Sequence, residues 1–177
     1  DTDSRSTLIS AEAQYWQWAD SCAIQMSRLL DDLSYLARND ASQVYGPNEN
    51  AATDLVSAIE KVVAYYEATR NNRVRFNLST SSDKLPPVSM EFTRLSQILG
   101  NLLDNALEHG QATEIRFSIE QSSPRSIKIR IEDNGRGMSE SIQSRIFEAG
   151  FSTSKRKSSH QGLGMAIVTE IVRAHNG

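Results

Sequence analysis

The chain reads DNGRGM at residues 133–138 and GLGM at residues 162–165, and the segment between these two glycine clusters is basic and rich in serine. Glycine lets backbone amides approach an anion closely, and a helix that begins just after a glycine directs its positive end at the same place. Two such clusters on either side of one segment predict a nucleotide site with a movable cover, and with it phosphoryl-transfer chemistry.

Composition limits the classes of protein to which the chain can belong. Its 177 residues suffice for one core plus an extra element, and its net charge of −3 argues against a strongly basic nucleic-acid-binding protein. Cys22 is the only cysteine, which excludes an internal disulfide and favours a reducing compartment. No apolar run reaches the ~18 residues of a membrane span, and the first residues lack both Met and a signal-peptide pattern. We therefore expect a soluble piece of a longer protein that does not bind nucleic acid.

The first part of the chain is predicted to be one long helix. Apolar residues recur at alternating steps of three and four from Trp16 to Ala37, within a helix expected over residues 9–37. The helix belongs either to a four-helix bundle or to the surface of its own domain, and the regular heptad spacing favours the bundle. Residues 39–50 have the composition of a linker, so we expect a first domain at residues 1–45 and a second at residues 46–177.

The second domain alternates helical and strand patterns. Asp54 is placed to cap a helix, and alternating segments at residues 112–120 and 126–132 predict a hairpin whose turn lies at residues 121–124. The other expected elements are a strand at 73–79, a short strand at 88–90, and helices at 91–108, 139–145 and 163–174. Helices interleaved with mostly antiparallel strands predict an α+β fold, a two-layer α/β sandwich.

A row of polar side chains marks one face of the helix predicted at residues 91–108. Gln97, Asn101, Asn105 and Glu108 follow one another at intervals of four, four and three. Asparagine in the middle of a helix lowers its stability, whereas neutral amide oxygens suit a hard cation that also carries phosphate oxygens. An ordinary solvated polar face is the alternative interpretation of this row.

Three further segments have both a functional and a structural interpretation. Asp133 follows a predicted strand, where its carboxylate could accept a hydrogen bond from the exocyclic amine of adenine, or it could simply open a common turn. The two aromatic residues of IFEAGF, residues 146–151, could anchor a loop, although core packing is the expected role of Phe147. The cations at residues 155–157 suit a flexible lid over phosphates, or a solvated charge run.

Together these segments resemble the ATP-binding domain of two-component sensor histidine kinases, which is grouped with DNA gyrase, heat-shock chaperones and MutL repair proteins. Residues 101–106 look like the asparagine box of that family, residues 133–138 and 162–164 like its two glycine boxes, and residues 147–151 like its phenylalanine box. The resemblance covers about residue 51 to the end, and MSRLLDDL at residues 26–33 looks like part of the dimerisation and phosphotransfer hairpin. It implies a Bergerat-type fold that follows a long helix of a four-helix bundle.

The resemblance implies a role for each residue of the candidate site. Asn105 would bind Mg²⁺, Asn101 and His109 would act near the phosphates of ATP, and Asp133 would recognise the adenine amino group. The complete set implied to bind ATP is Asn101, Asn105, Glu108, His109, Asp133, Gly135, Gly137, Met138, Lys155, Gly162, Leu163 and Gly164. Gyrase-like relatives carry a glutamate that activates water at the position of Asn101, so transfer to a histidine is favoured over hydrolysis.

Three features depart from the family pattern. None of His109, His160 and His175 lies in a His-Glu or His-Asp acceptor motif, so we expect the acceptor outside this chain and no autophosphorylation by the chain alone. Glu108 stands where many relatives have Lys or Arg, and its carboxylate would repel ATP unless it turns away or is bridged by the metal. The family normally continues with two more strands, so the domain looks truncated at Gly177.

Three functions follow as hypotheses. The leading one is the catalytic fragment of a sensor histidine kinase, with ATP and Mg²⁺ as cofactors, a homodimer through the N-terminal helix, and a response regulator receiver domain as partner. A serine kinase of the anti-sigma type and a degenerate, non-catalytic ATP-binding or dimerisation module are the alternatives. The resemblance also implies a cytoplasmic location, within a parent protein that is an inner-membrane sensor.

Overall fold

The computed structural model of the chain describes residue 48 and residues 51–70, 73–82, 84–152 and 162–177. The predicted N-terminal helix, the boundary between residues 45 and 46, and the cations at residues 155–157 lie outside these described residues. Over the part that is described, no helix combines the length and the apolar character needed to cross a membrane.

The first described helix, α1, runs from Leu55 to Thr69. Oδ1 of Asp54 accepts a hydrogen bond from the backbone N–H of Ser57 at 2.8 Å, so the predicted cap is confirmed. That bond lowers the pKa of Asp54, because it favours the ionised carboxylate. The apolar side of α1 is buried, and its members are Leu55, Ala58, Ile59, Val62 and Tyr66.

Within the described residues, three strands form one sheet in the order β1-β2-β3. Strand β1 (Arg75–Thr80) pairs in parallel with β2 (Glu114–Ser123), and β2 pairs antiparallel with β3 (Ser126–Asp133). The predicted mostly antiparallel sheet is therefore wrong for these strands, whose two pairings divide equally. A helix crosses over between β1 and β2, and such a crossover is what allows neighbouring strands to run in the same direction.

The predicted hairpin is confirmed, but its turn is shorter than expected. Strand β2 continues to Ser123, which pairs with Ser126, and the turn contains Pro124 and Arg125. The register of pairing shifts between Gln121 and Ser123, so residues 121–123, which were expected in the turn, belong to β2 instead.

No strand forms at residues 88–90, contrary to the prediction. Val88 makes only an isolated bridge with Thr53, through two backbone hydrogen bonds of 3.0 and 2.9 Å. Two prolines, Pro86 and Pro87, come directly before it and lack the N–H groups that a longer ladder requires. The bridge instead fixes the approach to α1, since Oγ1 of Thr53 also donates to the carbonyl oxygen of Met90 at 2.6 Å.

The helix predicted at residues 91–108 consists of two parts. Helix α2 runs from Phe92 to Asp104, and a π-helical turn follows from Asn105 to His109. The wider turn closes when the N–H of Gly110 donates to the carbonyl oxygen of Asn105 at 2.9 Å. A Cβ atom on Gly110 would lie 2.5 Å from the carbonyl oxygen of Ala106, so glycine is required where the turn ends.

Two more helices complete the described fold. Helix α3 is a single short turn, Glu140–Gln143, where a helix over residues 139–145 was expected. Helix α4 runs from Gly164 to Ala174, within one residue of its predicted start. Phe147, which lies after α3, is 56% exposed, so its predicted place in the core is wrong.

The core lies between the sheet and the helices. Ile115, Phe117 and Ile119 of β2 are buried together with the apolar sides of α1 and α2. Helix α4 packs against α2 through a side whose buried members are Ala166, Ile167, Val168 and Ile171. The predicted two-layer α+β architecture is confirmed, and α2 is its central helix because α1 and α4 both pack on it.

Candidate nucleotide-binding site

A cavity of about 480 Å³ opens at the C-terminal end of α2. Its walls come from four segments that are far apart in sequence: the end of α2 with the π-helical turn, the loop after β3, residues 142–152, and the start of α4. The two glycine clusters, residues 133–138 and 162–165, therefore contribute to one cavity.

The first wall carries most of the predicted polar row. Asn101, Asn105, Glu108 and His109 all line the cavity. Gln97 does not, because its side chain is buried and its Oε1 accepts a hydrogen bond from Nη1 of Arg94 at 3.1 Å. Of the predicted row, Gln97 therefore has a structural role, and the other three residues line the cavity.

The loop after β3 is fixed at its first two residues. Oδ1 of Asp133 accepts a hydrogen bond from the N–H of Gly135 at 2.8 Å, which orients the carboxylate at the cavity. Asn134 connects the loop to the start of β2, because its Oδ1 accepts from the N–H groups of Thr113 (2.9 Å) and Glu114 (3.0 Å). The Nδ2 atom of Asn134 also donates to Oγ1 of Thr113 at 3.0 Å.

The same loop is attached to the end of the π-helical turn. The N–H of Arg136 donates to the carbonyl oxygen of Gly110 at 2.9 Å. A Cβ atom on Gly135 would lie 2.7 Å from both that oxygen and Oδ1 of Asp133, so the close approach needs glycine. The segment DNGR thus holds two cavity walls together, which a simple surface turn would not do.

The remaining residues of the first glycine cluster stand at the opening. Gly137 and Met138 line the cavity, whereas Gly135 supports the loop from outside the lining. Gly137 has a φ of +69° and no atom within 4 Å of the position that a Cβ would occupy. Met138 is 50% exposed and offers a flexible apolar surface at the rim.

The second glycine cluster forms the far wall. Gly162 has a φ of +72°, and its carbonyl oxygen accepts a hydrogen bond from the N–H of Gly150 at 3.1 Å. A Cβ atom on Gly164 would lie 3.0 Å from Oδ1 of Asn101, so the start of α4 closely approaches the polar wall. The side chain of Leu163 is buried and does not line the cavity, and Lys155 lies outside the described residues.

The cavity is also lined by residues outside the predicted ATP-binding set. Asp104 lies between the two asparagines, and Arg136 lies within DNGRGM, where it adds a cation to the wall. Phe151 lines the cavity while the guanidinium of Arg145 lies 4.5 Å from the centre of its ring. The sequence signal for Phe151 was its place in IFEAGF, whereas nothing local distinguished Asp104 from other helical carboxylates.

Three carboxylates line the cavity, and two of them have partners on α1. Oη of Tyr66 donates to Oδ1 of Asp104 at 2.7 Å. Nη2 of Arg70 pairs with Oε1 of Glu108 at 3.1 Å, in contacts that leave the two side chains 40% and 43% exposed. The predicted repulsive carboxylate at position 108 is therefore partly neutralised by a cation from another helix.

A family model described as histidine kinase-, DNA gyrase B-, and HSP90-like ATPase matches residues 90–177, which include every wall of this cavity. Residues 90–177 belong to this ATPase family. The resemblance of the sequence to the ATP-binding domain of sensor histidine kinases is therefore confirmed.

Proteins with similar sequences include sensor histidine kinases. Sensor histidine kinase YvrG of Bacillus subtilis is 31% identical over 157 residues, which cover 86% of the chain and 26% of YvrG. Probable sensor histidine kinase TcrY of Mycobacterium tuberculosis is also 31% identical over 157 residues, which cover 86% of the chain and 32% of TcrY. Alginate biosynthesis sensor protein KinB of Pseudomonas aeruginosa is 30% identical over 170 residues, 95% of the chain and 28% of KinB. The chain thus spans about a quarter to a third of the length of these relatives.

Solved structures agree with this family. The nucleotide-free catalytic domain of histidine kinase ThkA has a TM-score of 0.58 at 26% identity, covering 71% of the chain and 80% of that domain. Full-length ShkA in complex with AMPPNP has a TM-score of 0.60 at 26% identity, covering 70% of the chain and 26% of ShkA. Both are similar to the ATPase domain in fold as well as in sequence.

Proposed function

We propose that this chain is the catalytic ATP-binding part of a sensor histidine kinase and transfers the γ-phosphoryl group of ATP to a histidine on another segment. The observation that carries the proposal is the meeting of Asn101 and Asn105 with Asp133 and both glycine clusters on one cavity. The amide oxygens suit a metal ion, and the oriented carboxylate suits the amino group of the base. The backbone at the glycine clusters can approach the phosphates closely.

Adenine recognition rests on Asp133. Its Oδ1 is occupied by the N–H of Gly135, so the carboxylate is held in one orientation and its second oxygen remains an acceptor. An exocyclic amine donates to such an oxygen, whereas the carbonyl of guanine at the same position would repel it. Gly137 and Met138 border the opening, where a flat base would lie against backbone and a flexible apolar side chain.

The phosphates and Mg²⁺ fit the opposite side of the cavity. No cluster of three or more His, Cys, Asp or Glu side chains able to hold a metal occurs among the described residues. Mg²⁺ at a nucleotide typically takes few protein ligands beside the phosphate oxygens. Asn105 supplies an amide oxygen, and Asn101 lies against the glycine that starts α4. Mg²⁺ would neutralise charge on the phosphates, while the free N–H groups at the start of α4 would hold phosphate oxygens.

Positioning is the contribution of this chain to the transfer. The imidazole nitrogen of the acceptor forms the new N–P bond as the bond from the γ-phosphorus to the bridging oxygen breaks, and ADP leaves with that electron pair. Asn101 cannot remove a proton from water, which disfavours hydrolysis. His175 is engaged by the end of α4, since its Nδ1 lies 2.8 Å from the carbonyl oxygen of Ile171. None of His109, His160 and His175 lies in an acceptor motif, so we place the acceptor outside this chain.

The remaining proposals follow from the relatives. Their names are those of sensor kinases, and ShkA was solved with the ATP analogue AMPPNP. We infer that the acceptor hairpin is completed by residues 9–37, through which two copies dimerise, and that a response regulator receiver domain takes the phosphoryl group. A cytoplasmic location in a membrane-linked parent goes with this assignment. The serine kinase and the non-catalytic module find no support in these names.

Binding and transfer are tested on the 177-residue chain. We expect calorimetry to detect Mg·AMPPNP but not Mg·GMPPNP, and expect Asn105→Ala to abolish the Mg²⁺ dependence of that binding. After addition of a purified acceptor hairpin and radiolabelled ATP, an acid-labile label should appear on histidine. Label on serine would support the anti-sigma-type kinase, and binding without transfer would support the non-catalytic module. Absence of any nucleotide binding would overturn the assignment.

A further inference from the structure

Two contacts join α1 to the cavity wall, one helical turn apart. Tyr66 bonds to Asp104 at 2.7 Å, and Arg70 pairs with Glu108 at 3.1 Å. The step of four residues along α1 matches the step of four residues along α2 and its π-helical turn, so the two contacts form a ladder. We call these four residues the α1 ladder.

The sequence of α1 places Arg70 at the end of this ladder. Arg70 is the C-cap residue of α1, and its N–H donates to the carbonyl oxygen of Tyr66 at 3.0 Å. A cation at this position is favoured by the partial negative charge of the helix end. Tyr66 is buried, so the helix on which Arg70 stands is anchored one turn earlier.

The ladder controls charge on a cavity that is proposed to hold a polyanion. Asp104 and Glu108 both line that cavity, on the same wall as the two asparagines. Without the guanidinium of Arg70, the carboxylate of Glu108 would keep its full charge and could turn towards the phosphates. The pair is partly exposed, so its effect is moderate and is screened by salt.

We propose that Arg70 is a positioning residue that raises the affinity for polyphosphate by holding and neutralising Glu108. The inference rests on the proposed function and adds to it a residue on α1, outside the cavity lining. The Arg70–Glu108 pair would then favour a nucleoside triphosphate over an uncharged nucleoside, although Arg70 itself does not touch the ligand.

Four variants of the full chain test the inference: Arg70→Gln, Arg70→Lys, Glu108→Gln and the double variant Arg70→Gln/Glu108→Gln. At low ionic strength we expect Arg70→Gln to weaken Mg·AMPPNP binding by about three- to fivefold and to leave adenosine binding, followed by NMR titration, unchanged. Arg70→Lys should restore most of the affinity. Glu108→Gln should remove the effect of Arg70→Gln in the double variant, and added salt should reduce the loss.

The outcomes separate the two proposals. If the natural chain binds Mg·AMPPNP and Arg70→Gln binds it equally well, the role of Arg70 is overturned while the proposed function stands. An equal loss for adenosine and Mg·AMPPNP would also overturn it, because a structural role would then suffice. If the natural chain binds neither ligand, the proposed function fails first.

Discussion

The backbone N–H of Gly150 donates to the carbonyl oxygen of Gly162 at 3.1 Å, and so joins two of the segments that line the cavity. Both glycines have a positive φ, +81° at Gly150 and +72° at Gly162. Their surroundings differ, because a Cβ on Gly150 would meet nothing within 4 Å, whereas one on Gly162 would lie 2.5 Å from the carbonyl oxygen of Phe151.

This difference predicts unequal costs for the same substitution. Gly150→Ala should lower the free energy of unfolding by about 1–2 kcal/mol, the usual cost of a left-handed conformation for a residue with a Cβ. Gly162→Ala should cost about 3 kcal/mol, because backbone must also move. Urea denaturation of both variants measures the difference, and equal losses would contradict the geometry at Gly162.

Replacing Asp133 tests adenine recognition without disturbing the loop. In Asp133→Asn the amide oxygen can still accept from Gly135, while the other position becomes a donor. We expect Mg·AMPPNP affinity to fall about tenfold or more, with melting behaviour unchanged. Glu132→Gln is the control, because Glu132 is the exposed neighbour of Asp133 in β3. This variant should bind Mg·AMPPNP normally. Normal binding by Asp133→Asn would place the base elsewhere.

The cap of α1 predicts a dependence of stability on pH. The pKa of Asp54 is lowered in the folded state, chiefly by the backbone hydrogen bond from Ser57. Its stabilising contribution is therefore complete above the pKa of an unfolded aspartate and is lost as the pH falls through the lowered folded-state pKa. Asp54→Asn can keep the cap but cannot titrate. Urea denaturation at neutral and acid pH should show a smaller acid-induced loss in this variant than in the natural chain.

Asn134 is expected to be a stability determinant as well as a loop residue. Asn134→Ala removes the acceptor for the N–H groups of Thr113 and Glu114, and we expect a loss of about 1–2 kcal/mol in the free energy of unfolding. Asn77→Ala is the matched control, since exposed Asn77 makes one side-chain bond of 3.3 Å to Glu114 and supports no backbone group. A loss no larger than that of Asn77→Ala would refute this role.

Elements whose ends are encoded locally were predictable from the sequence. Helix α1 starts directly after its own cap, Asp54, and α4 starts at Gly164, inside the second glycine cluster. The parallel partner of β1 was not predictable, because it depends on how the α2 crossover packs rather than on alternation within the strand. Val88 likewise makes only an isolated bridge, because strand formation depends on a neighbouring strand, which local sequence does not indicate.

The candidate site was predictable where spacing and resemblance agreed. They indicated that Asn101, Asn105 and Asp133 belong to one site, and the three line one cavity. Burial of Gln97 and the pairing of Arg70 with Glu108 were not predictable, because each depends on a contact made only when helices pack or side chains turn. Exposure of Phe147 was missed for the same reason, since aromatic character alone favours burial.

The contacts of Asn134 also have a consequence for local motion. The N–H groups of Thr113 and Glu114, at the start of β2, are held by the side chain of Asn134, which directly follows β3 and the proposed base-binding residue Asp133. Opening the loop after β3 therefore also disrupts the adjacent end of the β2–β3 pairing. The loop and this end of the sheet should exchange their amide hydrogens with solvent as one cooperative unit. A bound nucleotide would then slow deuterium uptake at Thr113 and Glu114, which do not line the cavity.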